Sequence, residues 1–175
     1  MKNLFFGDSI TAAWPLTELL PERNIMKFGY PGESVADLIW HIHDDVFANT
    51  PCQVFLMGGI NGIQEPEEQT AGGLEALASA MLRHGAEVCL QSILPLRFPD
   101  RWNRFQYQDR ISRINSRLAD WAKNHEIPFI DYHAQLRDAT GQLAANFANA
   151  DGTHLKPEAY VLMSQIVTPF LKEQK

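Results

Sequence analysis

The stretch Asn3-Leu4-Phe5-Phe6-Gly7-Asp8-Ser9-Ile10-Thr11 passes from consecutive apolar side chains into a small polar turn. Apolar residues at successive positions, without alternation, suit a strand covered on both faces. Four further runs read the same way: Asn24–Phe28, Gln53–Met57, Glu87–Gln91 and Pro128–Asp131. Between them the apolar residues recur at helical spacing. Val35, Leu38, Ile39, Ile42 and Val46 form one such face, and Leu74, Leu77, Met81 and Leu82 a second. Tyr107, Ile111, Ile114, Leu118 and Trp121 form a longer one. A last helix is expected from Pro157, a residue suited to the first helical position, with Tyr160, Met163, Ile166 and Val167 facing inward and Pro169 ending or kinking it. Strands alternating with helices predict a mostly parallel sheet with helices on both faces. In such sheets functional residues gather past the carboxyl ends of the strands, which is where Ser9 falls.

A chain of 175 residues suits one domain, 1–175, with a sizeable core, and 45% hydrophobic with 21% charged residues is an ordinary globular composition. A net charge of −6 gives no general attraction to nucleic acid or anionic membrane. Arg97, Arg101, Arg104, Arg110, Arg113 and Arg117 cluster in one stretch, best read as a solvated helix face. No signal peptide is visible, and no apolar run reaches membrane-spanning length. Cys52 and Cys89 lie in or beside apolar runs and read as small buried thiols, so a cytoplasmic protein is expected. The oligomeric state is not legible.

Four segments carry chemistry. In Phe6-Gly7-Asp8-Ser9-Ile10-Thr11 a strand runs into a helix, with Gly7 permitting a tight turn. A serine hydroxyl is a weak nucleophile and needs a base and an anion-binding pocket. Taken alone, Asp8-Ser9 reads equally as a helix cap. Phe28-Gly29-Tyr30-Pro31-Gly32-Glu33-Ser34 follows the second run, and Gly32 could present a backbone N–H or simply make a turn. Met57-Gly58-Gly59-Ile60-Asn61-Gly62 follows the third run; an Asn amide there could donate to a developing oxyanion, or the glycines could only shape a loop. In Asp151-Gly152-Thr153-His154-Leu155 a carboxylate three residues before an imidazole can fix its tautomer, or merely cap the next helix.

Together these segments, in this order, resemble the blocks of the SGNH (GDSL-type) hydrolase superfamily. Gly7-Asp8-Ser9-Ile10 is similar to the Gly-Asp-Ser-Leu block, Gly32 to the second-block glycine, Gly59-Ile60-Asn61 to Gly-x-Asn, and Asp151 to His154 to Asp-x-x-His. The resemblance spans residues 7–155 and departs at Gly62, where the family usually has Asp. It implies an α/β fold, a three-layer α/β/α sandwich with a five-stranded parallel sheet, flavodoxin-like. It also implies a serine esterase, with Ser9 as nucleophile, His154 as base and then acid, and Asp151 orienting His154. The Ser9 and Gly32 N–H groups and the Asn61 amide would form the oxyanion hole.

No cofactor is implied, and no Cys, His and carboxylate set has metal-ligand spacing. His41 and His43, two apart on a helix, do not share a face. His84 and His125 suit helix ends, and His133, after the fifth run, is a weak site candidate. Asp8 is expected to be structural. Expected pocket walls are Trp14, Ile63, Leu96, Phe98, Trp102 and Leu155. The substrate expected is a small ester, with an acetyl group on a carbohydrate or lipid-like alcohol preferred. The alternatives are a thioesterase or lysophospholipase with a longer acyl pocket, and a non-catalytic binding domain on the same fold.

Overall fold

The computed structural model describes residues 2–51, 53–98 and 104–173; the side chains of residues 104–106 are likewise not described. Five strands form one parallel sheet in the order β2-β1-β3-β4-β5. They are β1 (Asn3–Asp8), β2 (Ile25–Tyr30), β3 (Gln53–Leu56), β4 (Glu87–Gln91) and β5 (Phe129–Ile130). The helices are α1 (Ser9–Ala13), α2 (Leu16–Leu19), α3 (Val35–Leu38), α4 (Glu67–Arg83), α5 (Arg104–Asn124), α6 (Tyr132–Leu136) and α7 (Pro157–Val167). Every residue of β1 is buried. Successive strand residues point to opposite faces, so β1 feeds two cores. Leu4 and Phe6 join α3, α4 and α5 on one face. Phe5 joins α1, α6 and α7 on the other. This three-layer sandwich is the architecture that the unalternated apolar runs predict.

Three local expectations are revised. Residues Val35 to Val46 do not form one helix. α3 stops at Leu38, and Ile42–Phe47 winds as a separate π-helix. Val35, Leu38, Ile42 and Val46 still enter one core, while Ile39 is turned out to solvent. Trp14 is not a pocket wall: it is 0 % exposed. Its ring meets Phe5 and Tyr132 edge-on at 5.4 and 5.9 Å, and its indole N–H donates to Ser164 Oγ at 2.9 Å. A large ring with one polar handle is stabilised most in a packed core that supplies an acceptor, and α7 supplies it. The arginines, finally, are more than a solvated face. Arg113 pairs with Glu67, and Arg117 with both Glu68 and Glu75, so that α5 is tied to α4. Arg110 caps carbonyls of Ile63 and Glu65, and Arg97 pairs with Asp138 at 2.9 Å. Arg101 and the Arg104 side chain lie outside the described residues.

Pro157 opens α7, and Pro169 falls in a short 3-10 turn, Thr168–Phe170, that ends it. Cys89 is a buried free thiol whose pKa burial raises to about 12; Cys52 lies outside the described residues. No helix among the described residues is long and apolar enough to cross a membrane. Since Trp14 anchors the core beneath α1, Trp14→Ala is expected to lower stability by about 3–5 kcal/mol in denaturant unfolding. A loss below about 1 kcal/mol would mean that the indole is not packed as described.

Candidate active site

The strand order reverses direction at β1: the chain leaves β1 for β2 on one side and returns to β3 on the other. Ligands bind at such a switch point, outside the carboxyl ends. Asp8 ends β1 and Ser9 opens α1. Both sequence readings of this pair hold at once. Asp8 is the cap, accepting the Ile10 N–H at 3.0 Å, and the neighbouring Ser9 hydroxyl is left to face His154. Gly7 serves close packing rather than the turn. It is extended strand backbone, and a Cβ there would collide with the Met57 carbonyl.

The second partner arrives from the far end of the chain. Antiparallel pairing of Ala148 with Leu155 closes a loop, and Asn149 N–H donates to the His154 carbonyl across its neck at 2.9 Å. At the tip Asp151 Oδ1 accepts the N–H groups of Thr153 and His154, both at 2.9 Å. Its Oδ2 lies 2.7 Å from His154 Nδ1. A carboxylate only accepts, so Nδ1 carries the proton and Nε2 is the free acceptor. Nε2 lies 3.1 Å from Ser9 Oγ. Hydroxyl, imidazole and carboxylate thus stand in a line along which a proton can move from Ser9 to the ring while Asp151 balances the charge.

Two carboxylates here are driven in opposite directions. Burial raises the Asp8 pKa to about 6, against the opposing pull of the Ile10 N–H and of His154. Burial also acts to raise Asp151, but hydrogen bonds from the His154 side chain and the loop N–H groups outweigh it and hold it at about 2.

The remaining motif residues flank this line. Gly32 lies two residues past β2 with φ +84°, and a Cβ there would meet nothing, so conformation rather than space calls for glycine. Asn61 Nδ2 donates to the Glu33 carbonyl at 2.8 Å, linking the loop after β3 to the loop after β2. An amide has two N–H groups, and this bond uses one. Gly62, the departure from the family pattern, accepts the Glu65 N–H at 3.0 Å in a turn leading to α4.

An apolar cavity of about 10 Å³ lies among chain neighbours of Ser9 and His154, neither of which lines it. It is lined by Asp8 and Ile10 on either side of Ser9, by Thr153 beside His154, by Gly58 and Ile60, and by Met57, Ile93, Leu94, Pro95 and Leu96. A wider groove of about 490 Å³ lies along the His154 loop, lined by Arg97, Phe98, Ala145, Ala148, Asn149, Ala150, Gly152 and Lys156. Of the expected walls, Leu96 thus lines the cavity and Phe98 the groove. Ile63 and Leu155 are buried in the two cores instead, and Trp102 lies outside the described residues. Among the walls missed in the sequence, Asp8, Ile10, Ile60, Ala150, Gly152 and Thr153 are immediate neighbours of motif residues, and for these that adjacency was the available signal. His133 sits beside the edge strand β5, with β4 and β3 between it and β1, and burial lowers its pKa. His84 and His125 stack on Phe47 and Trp121. Among the described residues no group of three or more His, Cys, Asp or Glu could hold a metal ion.

The fold thus brings Ser9, His154 and Asp151 together over the sheet's carboxyl edge. The chain belongs to the GDSL-like lipase/acylhydrolase family, whose model matches residues 5–162, and it is an ester-hydrolysing enzyme. Its fold is similar to that of a GDSL-like lipase from Bacteroides thetaiotaomicron, at 24% identity and a TM-score of 0.88 over 97% of this chain and 86% of that one. It is also similar to a lipase/acylhydrolase from Enterococcus faecalis, at 21% identity and 0.82 over 99% and 98%. A third likeness is to an acetylxylan esterase from Geobacillus stearothermophilus, at 18% and 0.79 over 99% and 94%. No curated protein matches the sequence.

Two expected outcomes follow from the glycines and from Asp8. A Cβ on Gly152 (φ +73°) would overlap the Arg97 carbonyl, whose own N–H donates to the Gly152 carbonyl at 2.7 Å. Gly152→Ala is therefore expected to cost well over 2 kcal/mol and to lower kcat by displacing His154, whereas Gly32→Ala should cost only about 1–2 kcal/mol through its φ. Equal losses in parallel unfolding and rate measurements would contradict that difference.

Asp8 binds its proton more tightly folded than unfolded. Stability therefore falls as pH rises from about 4 to about 6, by about 3 kcal/mol, and the loss persists above. Asp151 and Asp138, both held at about 2, act in the opposite sense over about pH 2–4. Asp8→Asn keeps an acceptor for the Ile10 N–H. Its stability relative to the wild type should rise between pH 4 and 6 and stay higher at pH 7; no gain at pH 7 would refute the assignment.

Proposed function

We propose that the protein is a serine esterase for small acyl groups, acetyl foremost. Ser9 attacks the ester carbonyl while His154 Nε2 takes its proton, and Asp151 steadies the imidazolium. The oxyanion that forms is held by the N–H groups of Ser9 and Gly32 and by the Asn61 N–H that Glu33 does not use. His154 then gives its proton to the departing alcohol oxygen, leaving an acyl ester on Ser9. Water attacks that ester by the same steps in reverse, releasing the acid.

The observation that supports the acyl-size reading is a cavity of about 10 Å³ lined by Asp8 and Ile10, the chain neighbours of Ser9, and by Thr153, the neighbour of His154. It has room for one water-sized group, which a methyl approaches. Its lining is mostly apolar, so a longer chain would overpack it at about 1–3 kcal/mol, or roughly 10- to 100-fold in kcat/KM. The alcohol side faces the wide groove along the His154 loop, which has room for a sugar-sized group. An acetyl ester of a carbohydrate fits both sides, and the likeness to an acetylxylan esterase supports the same direction. A cytoplasmic location and a single domain, 1–175, complete the proposal.

Nitrophenyl esters of increasing chain length test the reading. Activity should be greatest on acetate, should fall about tenfold or more by hexanoate, and should vanish in Ser9→Ala. Asn61→Ala should lose about 10²–10³ in kcat. A maximum at eight carbons or more would instead indicate the longer-chain thioesterase or lysophospholipase, and failure of a fluorophosphonate to label Ser9 in folded protein would indicate a binding domain.

A further inference from the structure

The two oxyanion donors that lie outside the Ser9 turn hang from one short segment, Tyr30 to Ser34. Gly32 is within it, and Asn61 is held by the Glu33 carbonyl at 2.8 Å. The segment is exposed at Pro31 and Gly32, and nothing touches the Cβ side of Gly32. Such a loop wanders unless something fixes it.

It is fixed at three places from one side. Ser34 caps α3, its N–H and Oγ both donating to Asp37 Oδ2 at 2.9 and 2.6 Å. Tyr30 OH donates to Asp45. His41 Nε2 faces the Glu33 carboxylate, 3.1 Å from Oε1 and 2.9 Å from Oε2. The His41 ring also lies flat on Tyr30, with centroids 3.7 Å apart and planes 10° from parallel. One imidazole thus grips both ends of the Tyr30–Glu33 turn, by stacking at one and by a hydrogen bond at the other. His41 and Asp45 reach it together because they stand four residues apart, one turn, with the Asp45 N–H donating to the His41 carbonyl at 3.0 Å. Asp45 lies within the π-helix Ile42–Phe47, and His41 stands at its start.

We infer that His41 is a positioning residue: through Glu33 it sets the Gly32 and Asn61 donors at the distance that the developing oxyanion requires. The inference rests on the oxyanion-hole reading above. His41 touches no reacting atom. Its effect lies in the transition state, where a misplacement of the donors of about 1 Å is costly, and substrate binding in the ground state does not depend on it.

His41→Phe keeps a ring on Tyr30 and removes the grip on Glu33. On nitrophenyl acetate it should lower kcat about tenfold with KM changed less than about twofold. His41→Gln, which restores a donor toward Glu33, should recover most of that loss. Glu33→Ala, cutting the same contact from the other side, should reproduce the His41→Phe loss and serves if His41→Phe does not fold. The decisive readout is the double variant. In an Asn61→Ala background His41→Phe should cost clearly less than its tenfold loss in the wild type, about threefold or less, because only the Gly32 donor is left for it to position. An undiminished tenfold loss on top of Asn61→Ala, or an unchanged kcat in both His41→Phe and Glu33→Ala, overturns the inference while leaving the oxyanion reading intact. If Asn61→Ala itself leaves kcat unchanged, the oxyanion reading falls and the inference with it.

Discussion

A hydroxyl is turned into a nucleophile only by a base within hydrogen-bond reach, and in this chain that reach of 3.1 Å joins residues 145 positions apart. Everything else in the structure serves to close that gap. The sheet brings Ser9 to the carboxyl edge at the point where strand order reverses. The Ala148–Leu155 bridge, and the pairing of Arg97 with Gly152, carry the His154 loop back over the same edge. Arg97 is held in turn by Asp138 and by the Leu143 carbonyl, both at 2.9 Å. The loop after β4 is therefore the strut on which the His154 loop rests. Gly152 is the only kind of residue that can sit against it.

The electrostatics follow from placement. Asp8 and Asp151 flank the same serine–histidine pair, yet one is buried under the sheet edge and the other stands at a loop tip surrounded by donors. Desolvation wins for the first and hydrogen bonding for the second, so their pKa values separate to about 6 and about 2. Divergent carboxylates around one centre mark sites where a proton is handled. The exposed one orients His154. The buried one holds the turn that presents Ser9, at a cost in stability that grows with pH.

What could be read from the sequence was what is local. Asp8-Ser9 after an apolar run, and Asp151 three residues before His154, carry their geometry within a few bonds, and the strand runs agree with the observed strands to within two residues at each end. What could not be read depends on packing across the sheet. Trp14 looked like a wall because it follows the nucleophile closely, but its size and its N–H send it inward to Ser164. Ile39 fitted a helical stripe that the π-helix interrupts. Arg113 and Arg117 find partners on α4 some 40 or more residues away, which no spacing rule within α5 could supply. His41 carried no motif at all; only the fold puts it on Tyr30 and Glu33.

The two sides of the site differ in how freely they can change. The small cavity is walled partly by immediate neighbours of Ser9, Asn61 and His154, namely Asp8, Ile10, Ile60 and Thr153, and partly by Met57, Gly58 and the loop after β4. On the proposed reading, moving the first group of walls would move Ser9 and the donors beside it, so that acyl size is tied in part to the catalytic geometry. The groove is walled by loop residues such as Phe98, Ala145 and Lys156, none of which neighbours Ser9 or Asn61. These residues can change without disturbing the contact between Ser9 and His154, whereas Arg97 and Gly152, which also line the groove, hold the His154 loop. On the proposed reading, a fold of this kind holds its acyl preference rigidly and has only its alcohol side free to adapt to a new substrate.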